Sequence, residues 1–160
     1  MSRISIICVG KIKEKYWNEA IAEYSKRLGR YVKLDIIEVA DEKTPDDAPP
    51  ALCEQIKKKE ADRILENIDE RAKICTLEIK GKSLSSEQLS EFIGKQGVEG
   101  INHIQFIIGG SLGLHESVLK KSQMAISFSA MTFPHQMMRV ILLEQIYRSY
   151  RILNGEPYHK

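Results

Sequence analysis

The chain has 160 residues, 42% apolar and 29% charged, enough for one compact domain with its own core and too few for two independent ones. Lys and Arg number 24 against 22 Asp and Glu, so the formal charge of +2 neither demands nor excludes an anionic partner. No apolar stretch approaches the roughly 20 residues of a membrane span, and the N-terminus lacks signal-peptide architecture, so a cytoplasmic location without a membrane partner is expected.

Ile4 to Val9 is a continuous apolar run ending at Gly10, the pattern of a short buried strand. Trp17, Ala20, Ile21, Tyr24 and Leu28 then recur at helical spacing, with Gly29 as a stop. Leu34 to Val39 reads as a second strand. Asp46-Asp47-Ala48-Pro49-Pro50 breaks the pattern, after which Leu52, Ile56, Ile64, Leu65 and Ile68 predict a second helix with Lys57 to Lys59 on its wet side. Ile74 to Ile79 is the third strand. Ser85 and Gln88 have capping-box spacing and open a helix through Leu89, Phe92 and Ile93. Ile104 to Ile108 is the fourth strand, Leu114 to Lys121 a short helix, and Met124 to Phe128 the fifth strand. Pro134 opens the longest helix, to about Leu153. Strands alternating with helices predict a single α/β domain over residues 1–160, a mostly parallel sheet covered by helices on both faces.

Three segments have the composition of ligand loops. Gly109-Gly110-Ser111-Leu112-Gly113 follows the fourth strand, where glycines allow close backbone approach or simply make a tight turn. Its position after the fourth strand, not the first, argues against a dinucleotide fingerprint. Gly81-Lys82-Ser83 lacks the earlier glycine of a phosphate loop, since Thr76 stands there, but it is expected to end a strand at the carboxyl edge where α/β sheets bind ligands. Ser127 to Gln136 offers hydroxyls and backbone groups around two aromatics and a methionine that would be costly to expose.

In the last helix, about 100° per residue puts Glu144, Arg148 and Arg151 on one polar stripe and Arg139 opposite, among Leu143, Ile146 and Tyr150. Arg139 is therefore either a structural ion-pair member or an anion-binding group in a cleft. The apolar arc that also holds Val140, Leu142 and Tyr147 is too wide for one sheet to cover, which points to a subunit interface. His103, His115, His135 and His159 lack metal-ligand spacing, so no metal is expected. The odd set Cys8, Cys53 and Cys75 suits reduced, buried thiols. Lys11 to Lys33 carries a net +4, either a phosphate-facing patch or a solvated helix face.

Val9-Gly10-Lys11 with Tyr16-Trp17, Ile108-Gly109-Gly110, Phe133-Pro134-His135-Gln136-Met137-Met138-Arg139, Glu144-Gln145-Ile146-Tyr147-Arg148 and the terminal Pro157-Tyr158-His159-Lys160 occur in this order. In these pieces the whole chain resembles the ribosomal RNA large subunit methyltransferase H family of small SPOUT-class RNA methyltransferases. The resemblance implies methylation, from S-adenosylmethionine, of N3 of pseudouridine 1915 in helix 69 of 23S rRNA on the assembled ribosome. It also implies a homodimer and a C-terminal trefoil knot, an exception to the rule against knotting. By the same resemblance Leu77, Gly109 and Phe128-Ser129-Ala130-Met131-Thr132-Phe133 would hold the cofactor. His135, Arg139, Tyr158 and His159 would meet the RNA, with Arg139 stabilising charge and His159 relaying a proton as catalytic residues. The rival reading is a ribosome-binding factor that keeps the fold without turnover.

Overall fold

A computed structural model describes residues 1–160. Ten elements alternate along the chain: β1 (Arg3–Val9), α1 (Lys15–Leu28), β2 (Lys33–Val39), α2 (Pro50–Leu65), β3 (Lys73–Ser83), α3 (Ser86–Val98), β4 (His103–Ile108), α4 (Glu116–Leu119), β5 (Met124–Ser127) and α5 (His135–Leu153). The strands form one sheet in the order β2-β1-β4-β3-β5, and every neighbouring pair is parallel. Continuous apolar runs suit strands that are covered twice. Central β4 is buried at all six positions and β1 at every position after Arg3.

The period-two alternation of the strands divides the core. Ile4, Ile6, Cys8, Cys75 and Phe106 face one side, against Leu28 of α1, Leu89 and Ile93 of α3, and Leu142, Leu143 and Ile146 of α5. Ile7, Val9, Ile74 and Ile107 face the other, against Ala61 and Ile64 of α2 and Val118 of α4. The expected layering of helices on both faces is thus present. The wide apolar arc of α5 finds its cover inside the chain: α1 and α3 pack along its two sides while the sheet lies beneath. The arc therefore does not by itself require a second subunit, because α1 and α3 supply the cover that the sheet alone cannot.

The end of β3 also departs from expectation. Gly81 does not terminate the strand. Residues between Leu77 and Lys82 arch out of register, and Lys82 and Ser83 then pair again with Ile126 and Ser127 of β5. A Cβ on Gly81 would stand 2.8 Å from backbone atoms of Ala125 and Ile126, so only glycine allows this return. Ser85 caps α3 with the anticipated reciprocal Gln88 contacts. His103, buried in β4, bonds Ser5 Oγ at 2.8 Å and Asp69 Oδ2 at 3.1 Å, a structural network at the opposite end of the sheet.

Candidate active site

Parallel strands deliver all their following loops to one edge. Here the arch after Leu77, the glycine loop after β4 and the segment after β5 converge around a cavity of about 630 Å³. That volume lies within the roughly 300–1,000 Å³ typical of small-molecule and cofactor sites. Leu77, Gly109, Phe128, Ser129, Met131, Thr132 and Phe133 all line it; Ala130 belongs to the same loop but turns out to solvent. His135, on the first turn of α5, also reaches the wall. Two of the three segments singled out in the sequence, the glycine loop after β4 and Ser127 to Gln136, therefore meet at one site; Gly81-Lys82-Ser83 does not line it, because those residues return to pair with β5, and β3 contributes Leu77, Glu78 and Ile79 instead.

Two glycines shape the central loop. An added Cβ on Gly109 would meet the Gly113 carbonyl carbon at 2.8 Å, so a side chain there distorts the loop before it touches any ligand. One on Gly110 would stand 3.1 Å from Glu60 Oε1, a buried carboxyl of α2 whose other oxygen accepts the Glu42 N–H at 3.0 Å. Burial, the largest influence, pushes the Glu60 pKa up, partly offset by that N–H.

The polar lining is sparse. Ser129 Oγ accepts the Met131 N–H at 2.9 Å and Ser127 Oγ donates to the Ser129 carbonyl at 3.1 Å, which folds the β5 loop. Burial, reinforced by the nearby Arg139 cation, lowers the His135 pKa from its ordinary 6.5. His135 Nδ1 is buried without a partner in the chain. Glu78, one residue past Leu77, is a polar wall residue with no functional reading in the sequence. An acidic residue at the carboxyl end of a strand beside the arch was the available signal for Glu78.

Arg139 is not in the cavity. It is 2% exposed, and its guanidinium donates to Glu38 Oε2 at 2.7 Å and to the carbonyls of Val9 and Gly10 at 3.0 and 2.6 Å. Of the two readings of this residue, the buried ion pair is the one present; the solvated groove is not. The reason is that β1 ends directly under α5 and leaves carbonyls that an arginine fork can bind.

Tyr158 and His159 also lie away from the wall. Tyr158 donates to Glu144 Oε1 at 3.1 Å and packs edge-on against Tyr147, while His159 contacts Glu87 Oε1 at 2.6 Å and Arg148 at 3.1 Å. Arg151 pairs with Glu156 and donates to the Pro157 carbonyl at 3.0 Å, completing the strap that holds the tail on α5 and the start of α3. The cationic Lys11 to Lys33 segment is a mixture: Lys15, Arg27 and Arg30 form surface ion pairs, whereas Lys11, Lys13, Lys26 and Lys33 form none.

An open parallel sheet with an apolar cavity at its carboxyl edge, walled by a glycine loop, defines a class of enzymes and binding proteins for nucleoside-type cofactors. Residues 2–159 match the family model described as "Predicted SPOUT methyltransferase". The chain is 61% identical over 158 residues to the ribosomal RNA large subunit methyltransferase H of Bifidobacterium adolescentis, with 99% of each chain covered. It is 57% identical over 157 residues to the protein of that name from Bifidobacterium animalis subsp. lactis, covering 98% of this chain and 99% of the other. Among solved structures it superposes on a tRNA (m1G37) methyltransferase from Aquifex aeolicus with a TM-score of 0.52 at 16% identity, covering 91% of this chain and 69% of that one. A probable methylase family protein from Haemophilus influenzae gives 0.52 at 12%, over 99% and 70%. The chain belongs to the ribosomal RNA large subunit methyltransferase H family, within the SPOUT methyltransferases.

Proposed function

We propose that this protein transfers a methyl group from S-adenosylmethionine to N3 of pseudouridine 1915 in helix 69 of 23S rRNA, on the assembled ribosome. Family membership supports a methyltransferase of large-subunit RNA, and the observation that carries the site is the convergence of the three loops on one cavity. The cavity fits the donor: its volume, its largely apolar walls and the unpartnered Nδ1 of His135 suit a nucleoside with a sulfonium-bearing chain. Leu77, Gly109 and the Phe128 to Phe133 loop would hold it. When bound, S-adenosylmethionine supplies an electrophilic methyl group.

The chain's own task is alignment and exclusion of water, which needs no covalent intermediate on the protein. An imide nitrogen must also give up its proton. His135 stays neutral at physiological pH, so it can accept a hydrogen bond or proton at the wall. Arg139 acts at one remove, fixing the end of β1 against α5. Tyr158 and His159, strapped outside the cavity, are assigned to RNA contact. The working unit is a homodimer whose C-terminal segment is threaded as a trefoil knot, a reading that rests on the family resemblance.

The test is incorporation of labelled methyl from S-adenosylmethionine into ribosomes lacking this modification. Label at that one pseudouridine is expected. Ribosome binding without incorporation would replace this reading by that of a non-catalytic ribosome-binding factor.

A further inference from the structure

Eighteen residues line the cavity, and among them Glu78 is the only aspartate, glutamate, lysine or arginine. The single imidazole on the wall, His135, is held below its ordinary pKa by burial and is neutral. At neutral pH the cavity therefore contains one formal charge, and it is negative.

The carboxylate is also oriented. Glu78 is half-buried, and the fully buried Thr76 hydroxyl donates to its Oε2 at 2.6 Å. Thr76 and Ser122 hydroxyls lie 2.6 Å apart. Because the one Thr76 proton is committed to Glu78, Ser122 must donate to Thr76, giving a directed chain from the turn between α4 and β5 to the cavity wall. Oε1 makes no hydrogen bond within the chain, and Glu78 has no ion-pair partner. A carboxylate held by one oxygen at a cavity wall, with the other free and no counter-charge in the chain, is arranged for a cationic ligand.

The methyl donor and its product differ in this property. S-adenosylmethionine carries a sulfonium, an ammonium and a carboxylate, a net positive charge; after the methyl has left, the thioether product is a neutral zwitterion. We infer that Glu78 is a binding residue that discriminates charge, favouring the sulfonium donor over the spent product. This rests on the cavity being the donor site. Retention of the donor and release of the product would then share one electrostatic cause, since the attraction disappears when the sulfonium is consumed.

Calorimetry of donor and product binding to the whole protein tests it without reference to turnover. Glu78→Gln keeps the side-chain shape and an oxygen to accept from Thr76 but removes the charge. The dissociation constant of S-adenosylmethionine should rise about tenfold, on the order expected for one charge pair in a partly solvated cleft. That of S-adenosylhomocysteine should change less than about twofold, by the same argument. Glu78→Asp, which retains the charge, should restore most of the preference for the donor, and both variants should melt like the parent. Equal weakening of both compounds, or none of either, would overturn the inference. A parent protein that binds neither compound would instead remove the cavity reading, and this one with it.

Discussion

Arg139 shows how far a single side chain can be read in advance. Its place on the apolar side of α5 was visible from helical phase, but whether it met an anion in solvent or a partner in the core depended on what lay beneath. The guanidinium bridges Glu38 and two carbonyls at the end of β1. Arg139→Ala should therefore cost stability first, roughly 2–4 kcal/mol, below the most severe buried-pair losses because Glu38 is 35% exposed and can rehydrate. Arg139→Lys should recover only part of it, since an ammonium cannot replace the fork. Urea unfolding measures both; a parental midpoint for the alanine variant would refute the structural role. His135 carries a pH prediction. Its folded pKa lies below the unfolded 6.5, so the unfolded chain binds the proton more readily. Its contribution to stability is present above pH 6.5 and is lost as the pH falls through the folded value. His135→Gln should flatten the acid side of the stability profile, and an imidazole titrating at or above 6.5 by NMR would contradict the assignment.

Among the elements, the arch of β3 departs most from its sequence pattern. The apolar run identified the strand up to Ile79 but could not show that the chain returns to pair with β5, because the returning residues Lys82 and Ser83 are polar and exposed. Gly81 makes that return possible. Gly81→Ala should displace β5 or break the second pairing, lowering the melting temperature and weakening donor binding together, because the β5 loop forms the opposite wall of the cavity. Circular dichroism melting combined with calorimetry separates this from a pure pocket effect: loss of binding at unchanged melting would place the damage in the wall alone. Ser85→Ala, removing one half of the α3 capping box, should cost about 1 kcal/mol and leave the cavity intact. A larger loss, or a change in donor affinity, would mean that this cap also supports the site.

For the whole molecule, the dimer is the open structural prediction. Leu142, Leu143 and Ile146 are fully buried within one chain, so the α5 arc by itself no longer requires a second copy. The expectation rests on the family, and among the exposed large apolar residues Tyr16 at 64% and Leu153 at 43% leave room for an interface along α1 and the end of α5. Sedimentation at micromolar concentration should give twice the chain mass; a monomer that methylates ribosomes would dispose of the dimer and not of the enzyme.

Periodicity, caps and glycines were sufficient for the ten elements, their parallel arrangement and two loops of the cavity, those after β4 and β5, because each depends on residues close together in the chain and on the covering of apolar faces. The individual residues Leu77, Gly109 and Phe128 to Phe133 came from the family resemblance; the parallel sheet explains only why their loops share one edge. The partner of Arg139, the cover over α5, the docking of Tyr158 and His159 beside α3, and the solitary charge of Glu78 were not legible. Each is a relation between segments tens of residues apart, as with Glu38 and Arg139, where a local pattern contains no distance. Only the packed structure brings such groups within the few ångströms at which charge and hydrogen bonding act.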